Sequence, residues 1–324
     1  VNHMEPDHCA MIGDLVRRYP EVQVVGNTKT FGMIKQFFGT DFAERAVTVK
    51  EGDTLATGAH TLHFVMAPMV HWPEVMVTYD EKDKVLFAAD GFGTFGALNG
   101  NIFADEVDFD RDWLDDARRY YTNIVGKYGA SVQALLKKAS GLEIAVICPL
   151  HGPVWRSNLS YILEKYDIWS KYEPETKGVM IAYASMYGNT ENMVNVLASM
   201  LADAGITNIK IHNISKTHVS ELISDSFKYS HLVLAAPTYN NGIYPLMANY
   251  LEDMKALMVQ GRTVAVLGNG SWAPQSAKLM EAKLAELKNM TLLTENFAVK
   301  SALHDSQMEQ LQELCTKITD SVNA

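Results

Sequence analysis

Four side chains able to hold a metal stand within the first eight residues, in the pattern His-x-Glu-x-Asp-His: His3, Glu5, Asp7 and His8. Two carboxylates and two imidazoles so close together repel and desolvate badly unless a cation joins them, so this loop is expected to bind metal. Three more candidates follow singly. His71 sits in Ala-Pro-Met-Val-His-Trp-Pro, Asp90 ends Val-Leu-Phe-Ala-Ala-Asp, and His151 follows Val-Ile-Cys-Pro-Leu. Each falls where an apolar, strand-like run gives way to a loop, the place where a rigid sheet holds ligands at its edge. His60, His63, His212, His218, His231 and His304 lack that shared setting and are read as loop, cap or core residues. The set of seven joins imidazoles and carboxylates with no thiolate. Such a mixture suits iron better than a soft-ligand zinc site, while ligand type alone leaves zinc and manganese open.

A second kind of chemistry is written downstream. After the apolar run Val179 to Tyr183 comes Ala-Ser-Met-Tyr-Gly-Asn-Thr-Glu and then an amphipathic stretch with Met193, Val194, Leu197, Met200 and Leu201 at helical spacing. Ser185, Asn189 and Thr190 offer side-chain donors, Gly188 permits a tight turn, and a new helix presents unpaired N–H groups to a dianionic phosphate. The loop, Ser185 to Thr190 with Met186 and Tyr187 between, resembles the phosphate loop of flavodoxins. No Gly-x-x-x-x-Gly-Lys motif competes with it. Two later loops, Ala-Pro-Thr-Tyr-Asn-Asn-Gly and Gly-Asn-Gly-Ser-Trp-Ala-Pro, fall beyond the ends of later strands, where such a sheet places its flavin contacts. The resemblance implies that Pro237, Thr238, Tyr239, Asn240 and Asn241 line the isoalloxazine and ribityl groups. It implies that Gly268, Asn269, Gly270, Ser271 and Trp272 approach the ring, with Tyr239 or Trp272 stacked on it. FMN is expected rather than FAD.

The elements that must position these residues differ on the two sides of the polar, proline-containing stretch Ser170 to Gly178. A boundary is placed there, giving residues 1–172 and 177–324. Downstream, apolar runs at Val179–Tyr183, Ile209–Ile211, Leu232–Ala236 and Val264–Leu267 alternate with amphipathic stretches, the βαβ rhythm of a parallel sheet covered on both faces. Upstream, short strands are expected at Val22–Val25, Leu62–Met66, Val75–Thr78, Val85–Ala89 and Ile144–Cys148, interrupted by a long polar helical region from Asp110 to about Ser140.

With 324 residues the chain can bury a core in each of two domains. A formal charge of -10 and a pI near 5.5 argue against a nucleic-acid partner. Neither a long apolar run nor a basic-then-apolar start is present, so no membrane span or signal peptide is expected. Cys9, Cys148 and Cys315 are distant from one another and form no C-x-x-C pair, which points to a reducing cytoplasm; if electrons enter from an iron–sulfur protein, that protein is a separate chain.

Taken in order, the seven ligand candidates resemble the metal loop of the metallo-β-lactamase fold, with Glu5 where its hydrolases carry a second histidine. That exchange, the spacings of 68, 19 and 61 residues from His3 to His71, Asp90 and His151 in turn, and the following flavodoxin-like segment resemble the flavodiiron proteins. The resemblance implies an αββα domain and then a doubly wound, parallel, five-stranded flavodoxin-like sheet. It implies one iron held by His3, Glu5 and His71, a second by Asp7, His8 and His151, and Asp90 bridging them. Electrons would pass from FMN to this di-iron centre, which reduces dioxygen to water, nitric oxide to nitrous oxide, or both. A donor such as rubredoxin and a head-to-tail homodimer, or a dimer of dimers, are implied as partners. Family members carry further residues ahead of the first ligand, so the first domain is expected to be incomplete at its start and to fold and hold iron poorly by itself. Two rival expectations stand beside this one: a zinc hydrolase fused to a flavodoxin module, and a flavodoxin-type carrier without enzymatic activity.

Overall fold

A computed structural model describes all of residues 1–324. It divides into two compact units, Val1–Lys171 and Tyr172–Ala324.

In the first unit the strands are β1 (Val24–Gly26), β2 (Ala46–Thr48), β3 (Thr54–Thr57), β4 (His60–Met66), β5 (Met76–Asp80), β6 (Val85–Phe87) and β7 (Val146–Cys148). A five-stranded sheet runs in the order β3-β4-β5-β6-β7. Its centre is β5, Met-Val-Thr-Tyr-Asp, buried along its whole length. The pairs from β3 to β6 are antiparallel and β6–β7 is parallel, so β4, β6 and β7 all end at the same edge. That common edge is what allows three separate loops to meet. One face packs Val75, Val77, Leu86 and Ile147 against the helices Leu114–Ile124, Gly129–Ala139 and Leu159–Ser170, through Tyr121, Leu135, Ile162 and Trp169. On the other face Phe64 and Met76 meet Val25 and Val47 of the small parallel pair β1–β2. Beyond that pair, Val24 packs with Val16, Phe31 and Ile34 of the helices Ile12–Arg18 and Thr28–Phe38. The layers are therefore helix, sheet, sheet, helix, the second sheet having two strands.

Two local differences from the sequence pattern have physical causes. The expected continuous helix from Asp110 is broken into Phe109–Asp112, Leu114–Ile124, a 3-10 turn at Gly126–Tyr128, and Gly129–Ala139. Trp113 leaves the helical region at φ -130°, and Gly126, a poor helix former, follows the second segment. The helix Thr28–Phe38 was not anticipated although its signals are present. Asn27 accepts from the amides of Lys29 and Thr30, and Gly39 closes the last turn at φ 76°.

The second unit contains β8 (Thr176–Tyr183), β9 (Ile209–Asn213), β10 (Tyr229–Tyr239), β11 (Gly242–Ile243), β12 (Thr263–Asn269), β13 (Thr291–Leu292) and β14 (Ala298–Val299). The main path is β13-β12-β10-β8-β9, every pair parallel. Numbered within the unit this is the order 2-1-3-4-5 of a flavodoxin-like sheet. The strand β14 extends the edge of β12, and β11 folds back on β10. Alternate residues of each strand enter opposite cores. Met180, Leu232, Leu234, Val264 and Val266 face one set of helices, while Val179, Ile181, Val233, Ala265 and Leu267 face Met193, Val194, Leu197 and Leu201 of the helix Asn189–Asp203. Burial on both faces explains why these strands read as unbroken apolar runs rather than alternating ones. No helix is long and apolar enough to cross a membrane.

Candidate di-metal centre and flavin cleft

At the shared edge of β4, β6 and β7 the loops carrying His71, Asp90 and His151 converge, and the segment ahead of the short helix Pro6–Cys9 lies across them. Glu5 is that helix's N-cap, with Pro6 at the first helical position and Asp7 and His8 on its single turn. The seven side chains form two groups: His3, Glu5, His71 and Asp90, and then Asp7, His8 and His151.

Asp90 joins the two groups. Its Oδ2 lies 3.1 Å from His3 Nε2 and 3.0 Å from His71 Nε2, while its Oδ1 lies 3.1 Å from His8 Nε2 and 3.5 Å from His151 Nε2. Glu5 Oε2 completes the first group at 3.4 Å from His3 Nε2 and 3.1 Å from His71 Nε2. Asp7 Oδ2 completes the second at 3.4 Å from His8 Nε2 and 3.3 Å from His151 Nε2.

These separations fit donor atoms around a cation better than they fit hydrogen bonds among themselves. Ligand bonds of about 2.0–2.2 Å to a first-row divalent ion set neighbouring donors about 3 Å apart. The Nε2 atoms of His3 and His71 face each other at 3.2 Å. The Nδ1 of His3 donates to Glu74 Oε1 at 2.7 Å, so in the neutral ring Nε2 is a bare lone pair aimed at carboxylate oxygens and another nitrogen. Only a proton or a metal resolves that conflict. Burial opposes charge on His3, yet hydrogen bonds to the carboxylates of Asp90 and Glu74 outweigh it and raise its pKa to about 9. Burial likewise pushes the Asp90 carboxyl up, and its hydrogen bonds with His3 and His71 reverse this and hold it below the usual carboxylate range. The residues present therefore fit a pair of cations sharing one carboxylate.

The site has a floor and an open lip. His3 and Asp90 side chains are fully buried, whereas Glu5, Asp7 and His151 are exposed by 35%, 49% and 35%. Trp72 stands edge-on to His3 and His71, with ring centroids 5.2 and 6.0 Å away. Tyr120 lies beside His151 at 5.5 Å. Its hydroxyl is pushed above the ordinary range by burial first and then by the Asp90 carboxylate. The exposed lip is thus formed by candidate ligands themselves, beside the aromatic rings of Trp72 and Tyr120.

Residues that sequence reasoning did not single out complete the support. Glu74, wholly buried, accepts from His3 Nδ1 and, at 2.9 Å, from the Met4 amide, which fixes both the ring and the loop that carries it. A carboxylate three residues after His71 was the available signal. Tyr120 comes from the helix Leu114–Ile124, where nothing in the local pattern distinguishes it from a core tyrosine.

In the second unit a cavity of about 210 Å³ opens at the carboxyl ends of β8, β10 and β12. It is lined by Ser185, Met186, Tyr187, Asn189 and Thr190, by Pro237, Thr238, Asn240 and Asn241, and by Asn269, Gly270, Ser271 and Trp272, with Ala273 and Ser301 added. Ser185 Oγ accepts from the amides of Gly188 and Glu191, at 3.1 and 3.4 Å, which shapes the loop at the start of the helix Asn189–Asp203. Asn240 and Asn241 both have positive φ, 47° and 59°, and form the two-residue turn between β10 and β11. No Lys or Arg lines the cavity, so an anionic tail there would rest on amides and hydroxyls.

Three expected contacts lie outside this lining. Gly188 is the N-cap, at φ 88°, and serves the turn. Gly268 is inside β12, where a Cβ would meet Ala277 Cβ at 2.9 Å, so its lack of a side chain serves strand–helix approach. Tyr239 ends β10 opposite Gly242, outside the cavity lining, so of the two aromatics expected to stack it is Trp272, 81% exposed, that reaches the cavity.

Residues 1–152 match the ODP family beta lactamase and residues 181–315 match flavodoxin. The chain is 28% identical over 321 residues to the nitric oxide reductase of Moorella thermoacetica, covering 98% of this chain and 79% of that protein. It superposes on the rubredoxin oxygen:oxidoreductase of Desulfovibrio gigas with a TM-score of 0.90 at 27% identity, covering 99% of this chain and 80% of that one. It also superposes on the flavodiiron protein of Giardia intestinalis, at 0.92 and 25%, covering 99% and 78%. The chain belongs to the flavodiiron proteins. Its first unit is the metallo-β-lactamase-like part of that family and its second the flavodoxin-like part. The cofactors of a flavodiiron protein are FMN and a non-haem di-iron centre, and both the carboxylate-bridged cluster and the cleft beyond β8, β10 and β12 are of the kind that would hold them.

Proposed function

We propose that this chain is an oxidoreductase that passes electrons from FMN to a non-haem di-iron centre reducing dioxygen to water, nitric oxide to nitrous oxide, or both. The observation that carries the proposal is Asp90, which turns one carboxylate oxygen to each of two ligand groups. The names of similar proteins, a nitric oxide reductase and a rubredoxin oxygen:oxidoreductase, support the choice of substrates. Residues 1–172 form the di-iron domain and residues 177–324 the FMN domain in this proposal.

His3, Glu5 and His71 would hold one iron, Asp7, His8 and His151 the other, with Asp90 between them. When bound, FMN and the two irons supply the electrons and the substrate-binding positions. The protein's own part is to hold the donors at fixed spacing. Glu74 keeps the His3 ring turned so that Nε2 faces the metal position, and Tyr120 presents a protonated hydroxyl at the Asp90 side of the site. The electron donor is a separate protein such as rubredoxin, the protein works as a head-to-tail homodimer or a dimer of dimers, and its compartment is the cytoplasm.

Elemental analysis and absorbance on the purified protein test this directly. About two irons and about one FMN per chain are expected, with consumption of dioxygen or nitric oxide by the reduced protein. Zinc in place of iron with no such consumption would favour a hydrolase, and FMN without metal would leave only a flavin carrier.

A further inference from the structure

Ser301 lies far in sequence from the three loops that form the flavin cleft, yet it lines the same cavity. It follows β14, which the edge of β12 holds through the pairs Gly268–Ala298 and Asn269–Val299. Its backbone is in the left-handed region at φ 68°, a conformation that favours glycine and costs a residue with a side chain. Asn269, only 5% exposed, keeps it there from both sides: its Oδ1 accepts from the Ser301 amide at 3.1 Å and its Nδ2 donates to the Ser301 carbonyl at 2.8 Å. The same Nδ2 lies 3.3 Å from Thr190 Oγ1, on the first turn of the helix that follows the phosphate loop. Ser301 Oγ donates to Ser271 Oγ at 2.9 Å.

A turn that needed only this backbone would be served better by glycine. What serine adds is a hydroxyl, at the end of the cleft that Asn269 ties to Thr190. We propose that Ser301 is a fourth flavin-binding point, its hydroxyl turning from Ser271 to donate to the ribityl-phosphate tail, and that Asn269 is a positioning residue linking it to the phosphate loop. The proposal rests on the assignment of FMN to this cleft.

The test is FMN affinity of the flavin-free, full-length protein, followed by quenching of flavin fluorescence, with the unfolding midpoint and the flavin midpoint potential recorded for each variant. Ser301→Gly keeps the turn and removes the side chain, hydroxyl included. It is expected to raise the Kd for FMN about 5- to 10-fold, as loss of one hydrogen bond does, while the unfolding midpoint holds or rises. The flavin potential is expected to stay unchanged, because the contact is to the tail and not the ring. Asn269→Ala is expected to weaken binding at least as much, and adding Ser301→Gly to it should weaken binding little further. Ser301→Gly binding FMN as tightly as the unaltered protein overturns the proposal and leaves Ser301 a turn residue; additive losses in the double variant overturn the positioning role. If the unaltered protein binds no FMN, the assignment of the cleft fails instead, so the two failures are distinguishable.

Discussion

At His3 one imidazole carries two demands in the proposed di-iron centre, a hydrogen bond from Nδ1 and a ligand position at Nε2, and Glu74 satisfies the first so that the second is available. The same oxygen of Glu74, Oε1, also accepts from the Met4 amide, so one carboxylate fixes both the ring and the loop that carries it. Glu74→Gln keeps the shape and removes the charge. Iron affinity, measured by competition with a chelator, is expected to fall roughly 10- to 100-fold, the usual consequence of losing a partner to a ligating histidine. Iron affinity equal to that of the unaltered protein would show that Glu74 only fills space.

At the scale of elements, the ligand loops are held to one another as well as to their strands. Gly152, directly after His151, has φ 76°, and a Cβ there would lie 2.1 Å from Thr94 Cγ2 in the loop after Asp90. Gly152→Ala is therefore expected to destabilise the first unit by about 1–3 kcal/mol and to lower metal content, both followed in thermal melts and metal analysis. Thr94→Ser in the same chain should recover part of the loss by removing the clashing methyl, the positive φ accounting for the remainder. In the second unit, His231 bridges β10 to the helix Asp305–Asn323. Its ring nitrogens meet Ser230 Oγ at 2.8 Å and Ser321 Oγ at 2.9 Å. Burial lowers its pKa, and Lys177 adds to the effect. The folded state thus binds this proton less readily than the unfolded state does, so the contribution is intact above the unfolded pKa near 6.5 and is lost as pH falls below it. Unfolding midpoints measured between pH 7.5 and pH 5 should decline, and His231→Gln, which cannot titrate, should flatten that decline; equal slopes would assign the effect to other groups.

Over the whole molecule, each of the two units packs around cores of its own, and the first carries a cluster of candidate metal ligands at a sheet edge while the second carries a cleft at the strand ends. In the second unit a wholly buried Arg262 ties the segment at Tyr172 to the end of the helix Val219–Lys228. Its Nη1 donates to the carbonyl of Tyr172 at 2.7 Å, and its Nε and Nη2 donate to those of Ser226 and Phe227 at 2.9 and 2.8 Å. Tyr172 is therefore anchored in the second unit. A polypeptide of residues 172–324 is expected to unfold cooperatively and bind FMN with an affinity close to that of the full chain, readable by flavin fluorescence. A failure to fold would mean that the second unit depends on the first.

Much of this molecule was legible in its residues, because the signals were local. The ligand pattern at His3, Glu5, Asp7 and His8, the phosphate loop after Val179–Tyr183 and the buried parallel strands each follow from short-range chemistry and periodicity. The order of the loops along the chain then pointed to the family. What tertiary structure alone decided is which side chains arrive from elsewhere. Asp90 divides its oxygens between two groups because β4, β6 and β7 end at one edge, and Glu74 meets His3 across 71 positions. Gly268 is taken by packing against Ala277, and Ser301 enters the cleft because β14 pairs with β12. Asp90 at a strand end and Glu74 three residues after His71 carry local signals as residues, but none of these meetings does, since strand pairing joins residues by register, and register is settled only when the whole sheet is buried.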